Sequence, residues 1–171
     1  MKTISILCLM LLSTIFAQVD ENPILEIRNL YEKGVQNKTA NQKLILLLAK
    51  VTENEPVLLG YKGAAIMMQA SYAIDPFTKL SRFKKGKNLI ENAIKKEANN
   101  TELRYIRLTI QTNIPSFLGY SGEIKNDKEL IFEQLPRLKD ADLSNRIIKY
   151  LSNKNICNDE ELKKIDLWKI K

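Results

Sequence analysis

Arg104 and Arg107, one helical turn apart in the stretch Thr101–Asn113, make the most chemically informative spacing in this chain. At about 100° per residue, Arg104, Arg107 and Gln111 fall on one narrow stripe of a helix. Leu103, Ile106 and Ile110 lie to one side of that stripe, and Tyr105 and Leu108 lie to the other. A helix with two apolar faces is a central helix, so these guanidinium groups are enclosed, and an enclosed cation needs a carboxylate partner. Two arrangements would supply one. Either Glu91 or Asp127 is the partner within the chain, or the stripe lines a groove whose bidentate forks grip a partner's carboxylate or another anion.

The segment Ile114–Gly122 (IPSFLGYSG) comes directly after and reads as the longest loop. Its Phe117, Leu118 and Tyr120 either plug the core or stand out as aromatic anchors for a partner. The residue types of the whole chain narrow the chemistry further. There is no histidine, which excludes Ser-His-Asp and Cys-His catalysis and His-ligated zinc. No Gly-rich phosphate cradle, nucleophile elbow or D-x-D-x-D-G calcium loop occurs, so neither a cofactor nor a metal is expected. No pair of acids stands at a diagnostic spacing, which leaves a carboxylate-based hydrolase a distant third reading.

The 171 residues carry 27 basic and 20 acidic side chains, a net charge of +7, and Lys outnumbers Arg 21 to 6. A nucleic-acid surface uses more Arg, interleaved with aromatics, so nucleic acid is not expected as a partner. Lys79, Arg82, Lys84, Lys85, Lys87, Lys95 and Lys96 concentrate on one helix. They read as a solvated face, with anionic lipid, polysaccharide or nucleic acid as alternatives.

At the N-terminus, Lys2 precedes an uncharged, largely apolar run from Ile4 to Phe16, which Ala17 ends before polar Gln18. As a helix the run spans about 20 Å, short of the hydrocarbon core of a bilayer. It reads as a secretory signal cleaved after Ala17, leaving residues 18–171 as one exported domain, periplasmic or extracellular. No second run is long enough to span a membrane. Cys157 is then the one remaining thiol, read as a partly buried small residue with no disulfide partner.

Helical periodicity dominates the rest of the chain. Pro23 opens a first helix that Gly34 stops. Thr39 caps a second, and Pro56 opens a third that carries its stripe on to Ile74 and contains the small residues Gly60, Gly63, Ala64 and Ala65. Asp75-Pro76 starts a fourth, bearing Leu80, Phe83, Ile90, Ala93 and Ile94. The fifth begins after Asn99-Asn100-Thr101, the sixth runs from about Asn126 to Leu135, the seventh from about Asp142 to Leu151, and the eighth from Asp159 to Trp168. The small-residue third helix and the Met67-Met68 pair also offer a lining for an apolar or amphipathic ligand pocket, the principal rival to partner binding.

Residues 41–58 align without a gap on 86–103, with Leu44/Leu89, Ile45/Ile90, Lys50/Lys95, Asn54/Asn99 and Leu58/Leu103 identical. Each copy is a helix end, a polar turn and the next helix start. The stretch Ala93–Leu103 resembles the tetratricopeptide repeat, with Ala98 where that family usually has Pro. Leu59, Gly63 and Ile66 match the large, small and large positions of its first helix, whereas Lys62 occupies a normally apolar one. The chain as a whole also resembles small exported bacterial proteins of unassigned function with an E-x-R-[FY]-x-R helix followed by P-x-F-L-G-Y, here Glu102, Arg104, Tyr105 and Arg107, then Pro115, Phe117, Leu118, Gly119 and Tyr120. That likeness implies no activity. The repeat resemblance implies an all-α fold of seven to eight helices, a short right-handed stack of antiparallel hairpins. Its expected function is non-enzymatic binding of a protein or peptide, with Arg104, Arg107, Gln111, Phe117 and Tyr120 as the contact residues.

Overall fold

Pro23, Pro56 and Pro76 each stand in a first helical turn, where a missing N–H costs nothing and a fixed φ is already helical. Short polar side chains supply the other starts. Asn37, Asp75, Asn100 and Asn158 each accept a hydrogen bond from a backbone N–H of the turn they precede. At Asn158 the bond is reciprocal, because Glu161 reaches back to the cap's own N–H.

The computed structural model describes residues 23–153 and 156–169, and among these there are eight α-helices and no strand. They are α1 (Pro23–Gly34), α2 (Lys38–Leu47), α3 (Pro56–Ser71), α4 (Pro76–Lys96), α5 (Thr101–Gln111), α6 (Ile124–Gln134), α7 (Ala141–Asn153) and α8 (Asp159–Trp168). Short 3-10 turns occupy Ser116–Leu118 and Leu135–Arg137. Asn37 caps α2, two residues ahead of the expected Thr39, and α6 starts at Ile124 instead of Asn126. None of the described helices is long and apolar enough to cross a membrane. The run read as an export signal lies outside the described residues.

Helices consecutive in sequence pack on each other: α1 on α2, α3 on α4, α5 on α6 and α7 on α8. The longest contact is α3 along α4, and glycines explain it. A Cβ on Gly86 would stand 2.4 Å from the carbonyl oxygen of Gly63, and one on Gly63 would stand 2.7 Å from that of Gly86. The two backbones touch there, which only glycine permits. From this crossing α3 continues for roughly 12 Å to its end, while α4 extends back roughly 15 Å to its start. The first residues of α4 therefore overhang by about 3 Å. Phe77 lies there and is exposed, as is Ile74 in the turn after α3 has ended; Leu80, expected on the buried face, is exposed as well.

Two apolar cores result. One lies among α1 to α5 and is built on Leu44, Leu48, Leu59, Tyr61, Ile90 and Ile106. The other lies among α5 to α8 and is built on Leu108, Ile131, Ile147, Leu151 and Ile165. Helix α5 feeds both: Leu103, Ile106 and Ile110 enter the first core, and Tyr105 and Leu108 enter the second. The two aligned segments occupy corresponding places, each the end of one helix and the start of the next. Asn41/Gly86 and Leu48/Ala93 are buried in both copies.

Candidate functional site

Burying α5 on two sides leaves two polar seams between its apolar faces, and opposite charges fill them. On one seam, Asp127 of α6 is wholly buried. Arg107 meets it with two bonds, Nε to Oδ2 and Nη2 to Oδ1, both at 2.7 Å. Arg104 Nη1 donates to the same Oδ1 at 2.9 Å, and its Nε donates to the carbonyl of Ala98. Arg107 also donates to Glu91 at 2.9 Å and to Glu123 at 3.4 Å. Burial works against the charge of Arg107, but Asp127 and then Glu91 outweigh it, and the guanidinium is held charged more firmly than usual. Its forks thus face carboxylates of this chain, and they include both acids that the spacing points to.

Glu91 carries the seam outward. Its second oxygen accepts from the Tyr120 hydroxyl at 2.5 Å, so the carboxylate joins Arg107 to the loop after α5. The Tyr120 ring is buried and meets Phe83 edge-on, with the ring centroids 6.1 Å apart. The Lys87 ammonium stands over its face, 4.8 Å from the centroid. Burial and the Glu91 bond push the Tyr120 hydroxyl well above the usual tyrosine value. Leu118 packs on the first core. Gly119, at φ 61, takes the left-handed turn between them. Phe117 alone among the loop's large side chains faces solvent, 84% exposed. Leu118 and Tyr120 pack inward, as the plug reading expects, and Phe117 does not.

The five residues expected to make contact therefore do not form one surface. Arg107, Gln111 and Tyr120 are buried, Arg104 is half-buried and Phe117 is exposed. Gln111 is packed with its Oε1 accepting no hydrogen bond among the described residues.

The second seam is built from residues outside that set. Arg28 of α1 meets Glu102 through Nε at 2.7 Å and Nη2 at 2.8 Å. Its remaining donors reach Asp140 at 2.8 Å and Asp142 at 3.0 Å. Glu102 also accepts from the Tyr61 hydroxyl at 2.7 Å, and Tyr31 and Thr109 share a bond of 2.5 Å beside it. The sequence does hold a signal for Arg28: it sits within the apolar stripe of Ile24, Ile27 and Tyr31, where a cation must be paired. Around α5, one arginine with three carboxylates is thus assembled twice, once at Arg28 and once at Arg107.

Met67 and Met68, the residues suited to a pocket lining, are packed instead. Met67 closes on Gly86, and the sulfur of Met68 lies 3.5 Å from the Asn41 amide. A surface hollow of about 460 Å³ lies elsewhere, between α2 and the α3–α4 turn, with Lys38, Gln69, Thr78 and Arg82 on its walls. Cys157 is half-buried, and burial pushes its thiol up. Among the described residues no group of three or more acids or cysteines could hold a metal ion.

The fold and these seams define an all-α protein of eight helices, among the described residues, organised around one charged central helix. No family model, curated protein or solved structure matches the chain.

Proposed function

We propose that this chain is an exported, non-enzymatic helical module of tetratricopeptide-like hairpins that binds a protein or peptide partner, with Phe117 as the anchor. One observation carries the reading: an exposed phenylalanine on a loop secured on both sides. Pro115 and the 3-10 turn fix its approach, Leu118 and Tyr120 are sunk beside it, and Glu91 ties Tyr120 to the central helix. An aromatic presented on a pre-ordered loop loses little entropy on docking.

The hairpin architecture is supported by the pairing of consecutive helices and by α1 on α3 and α3 on α5, the first helices of successive hairpins. The ion pairs from α1 to α7, Arg28–Asp142 and Arg146–Glu32, draw the ends of the stack together. A closed stack offers little concave groove, which shifts the binding role from Arg104, Arg107 and Gln111 to the loop they support. In this reading the arginines are positioning residues.

The test is a photo-crosslinking side chain placed at position 117, and separately at exposed Glu129, in the chain expressed in its own compartment. One reproducible protein adduct at 117, absent at 129 and abolished as a complex by Phe117→Ala with the melting temperature unchanged, supports the proposal. Identical adducts at both positions, or none at 117, refute it.

A further inference from the structure

Helix α3 ends at Ser71, α4 begins at Pro76, and the corner between them leaves three large apolar side chains in solvent. Ile74 is 97% exposed, Phe77 86% and Leu80 43%. Single exposed apolar residues are ordinary, but three at one corner make a patch that water does not favour. Around α4, Phe77, Leu80 and Lys84 lie within about 60° of one another, so the apolar tip runs directly into the basic stretch.

Lys79, Lys84 and Lys85 are exposed, and none forms an ion pair with a described residue. The acid at the corner, Asp75, is turned to the backbone, where its carboxylate accepts from the Thr78 N–H at 2.7 Å. The 460 Å³ hollow borders Ile74 and adds Lys38 and Arg82 to the same end of the molecule.

Lysine chemistry decides between a protein and a lipid occupant. A protein interface strips water from its core and is correspondingly poor in lysine. At a bilayer the same side chains run their apolar stems along the surface and keep their ammonium groups among lipid phosphates. An apolar tip set in unpaired lysines is the pattern of an element that lies in the headgroup region.

We propose that the α3–α4 corner docks this protein on a membrane surface rich in anionic phospholipid. Ile74 and Phe77 enter the boundary between headgroups and acyl chains, while Lys84 and Lys85 meet the phosphates. The site is separate from the Phe117 loop and stands whether or not that loop binds a partner.

Residues 18–171 are the form to test, because both apolar cores are built from residues between Ile24 and Trp168. Their partition onto vesicles of equal phosphatidylglycerol and phosphatidylcholine is compared, by co-sedimentation, with partition onto phosphatidylcholine alone. Binding should be at least about tenfold stronger to the anionic vesicles and should weaken as salt rises. Phe77→Ser, and separately Lys84→Glu with Lys85→Glu, should each reduce it about tenfold or more with no change in melting temperature, since all three side chains are exposed. Indifference of the wild type to phosphatidylglycerol overturns the proposal, as does unaltered binding by Phe77→Ser. If Phe77→Ser instead converts a dimer to a monomer in sedimentation velocity and vesicle partition stays the same, the patch is a self-association surface and the proposal fails.

Discussion

Arg28 and Glu102, 74 residues apart in sequence, face each other through two parallel hydrogen bonds of 2.7 and 2.8 Å. The pair ties α1 to the start of the central helix, and both side chains are almost wholly buried. Burial works against the charge of Arg28, but Glu102, Asp140 and Asp142 together overcome that and hold it charged. Breaking a buried pair strands the surviving charge, whereas exchanging both partners for apolar groups does not. Glu102→Leu should therefore cost about 3 kcal/mol or more, and Arg28→Met a similar amount. The double variant should lose clearly less than the sum. Urea unfolding of the four proteins measures this directly; strict additivity would show that the two groups do not act as a pair.

The Gly63–Gly86 contact should be the least tolerant position on α3 and α4. A methyl group on Gly86 meets the Gly63 carbonyl at 2.4 Å and the Met67 side chain at 2.2 Å. The methionine can move, but the backbone cannot move without parting the helices. Gly86→Ala should lower stability by about 3 kcal/mol, at the upper end of overpacking costs. At exposed Gly122, where a Cβ meets nothing, the same change should be close to neutral. Thermal melts followed by circular dichroism distinguish the two.

Stability should have a limb at each end of the pH scale. Arg28 holds the Asp140 carboxyl below its ordinary value, and Arg146 followed by Arg28 does so for Asp142. A folded-state value below the unfolded one contributes stability above the unfolded value of about 4, and that stability is lost as pH falls beneath it. Burial raises the hydroxyls of Tyr31, Tyr61, Tyr105 and Tyr120 far above the ordinary value of about 10. Their contribution is full below that value and disappears as pH rises past it. The melting temperature should be level from about pH 5 to 9 and fall on both sides. Absorbance at 295 nm should show these tyrosines ionising only as the helices unfold. With Tyr72 replaced by Phe, ionisation of these four near pH 10 in a fully helical protein would mean their rings are open to water.

Glu91 links the central helix to the Phe117 loop, because its two oxygens are shared by Arg107 and Tyr120. Tyr120→Phe removes the loop's half of that link and leaves the ring packing with Phe83 in place. Chymotrypsin cleaves after exposed aromatics and needs a locally open backbone. Limited digestion should cut after Phe117 several-fold faster in Tyr120→Phe and in Glu91→Ala than in the wild type, while the helical circular dichroism signal of Tyr120→Phe stays intact. Equal cutting rates would show that Leu118 and Gly119 hold the loop without help from the hydroxyl.

Periodicity, prolines and short polar caps determined the helices. Apolar residues at helical spacing mark the faces a helix can bury, and each start needs either a side chain to satisfy its first N–H groups or a residue without one. For the same reason α5 was legible as a central helix with an enclosed arginine stripe, and even the acids Glu91 and Asp127 were within reach of sequence. What the chain order cannot convey is which distant surfaces meet. Arg28 finds Glu102, Asp140 and Asp142 only because α1 closes on α5 and α7. Ile74 and Phe77 stay in water because the glycine crossing sets where α3 ends against the start of α4. The split within one loop, with Tyr120 sunk and Phe117 exposed three residues before it, depends on where the Glu91 carboxylate stands in space. Local sequence sets the period and the caps of a helix, but burial and pairing are properties of the neighbours it acquires, and those exist only after the helices have packed.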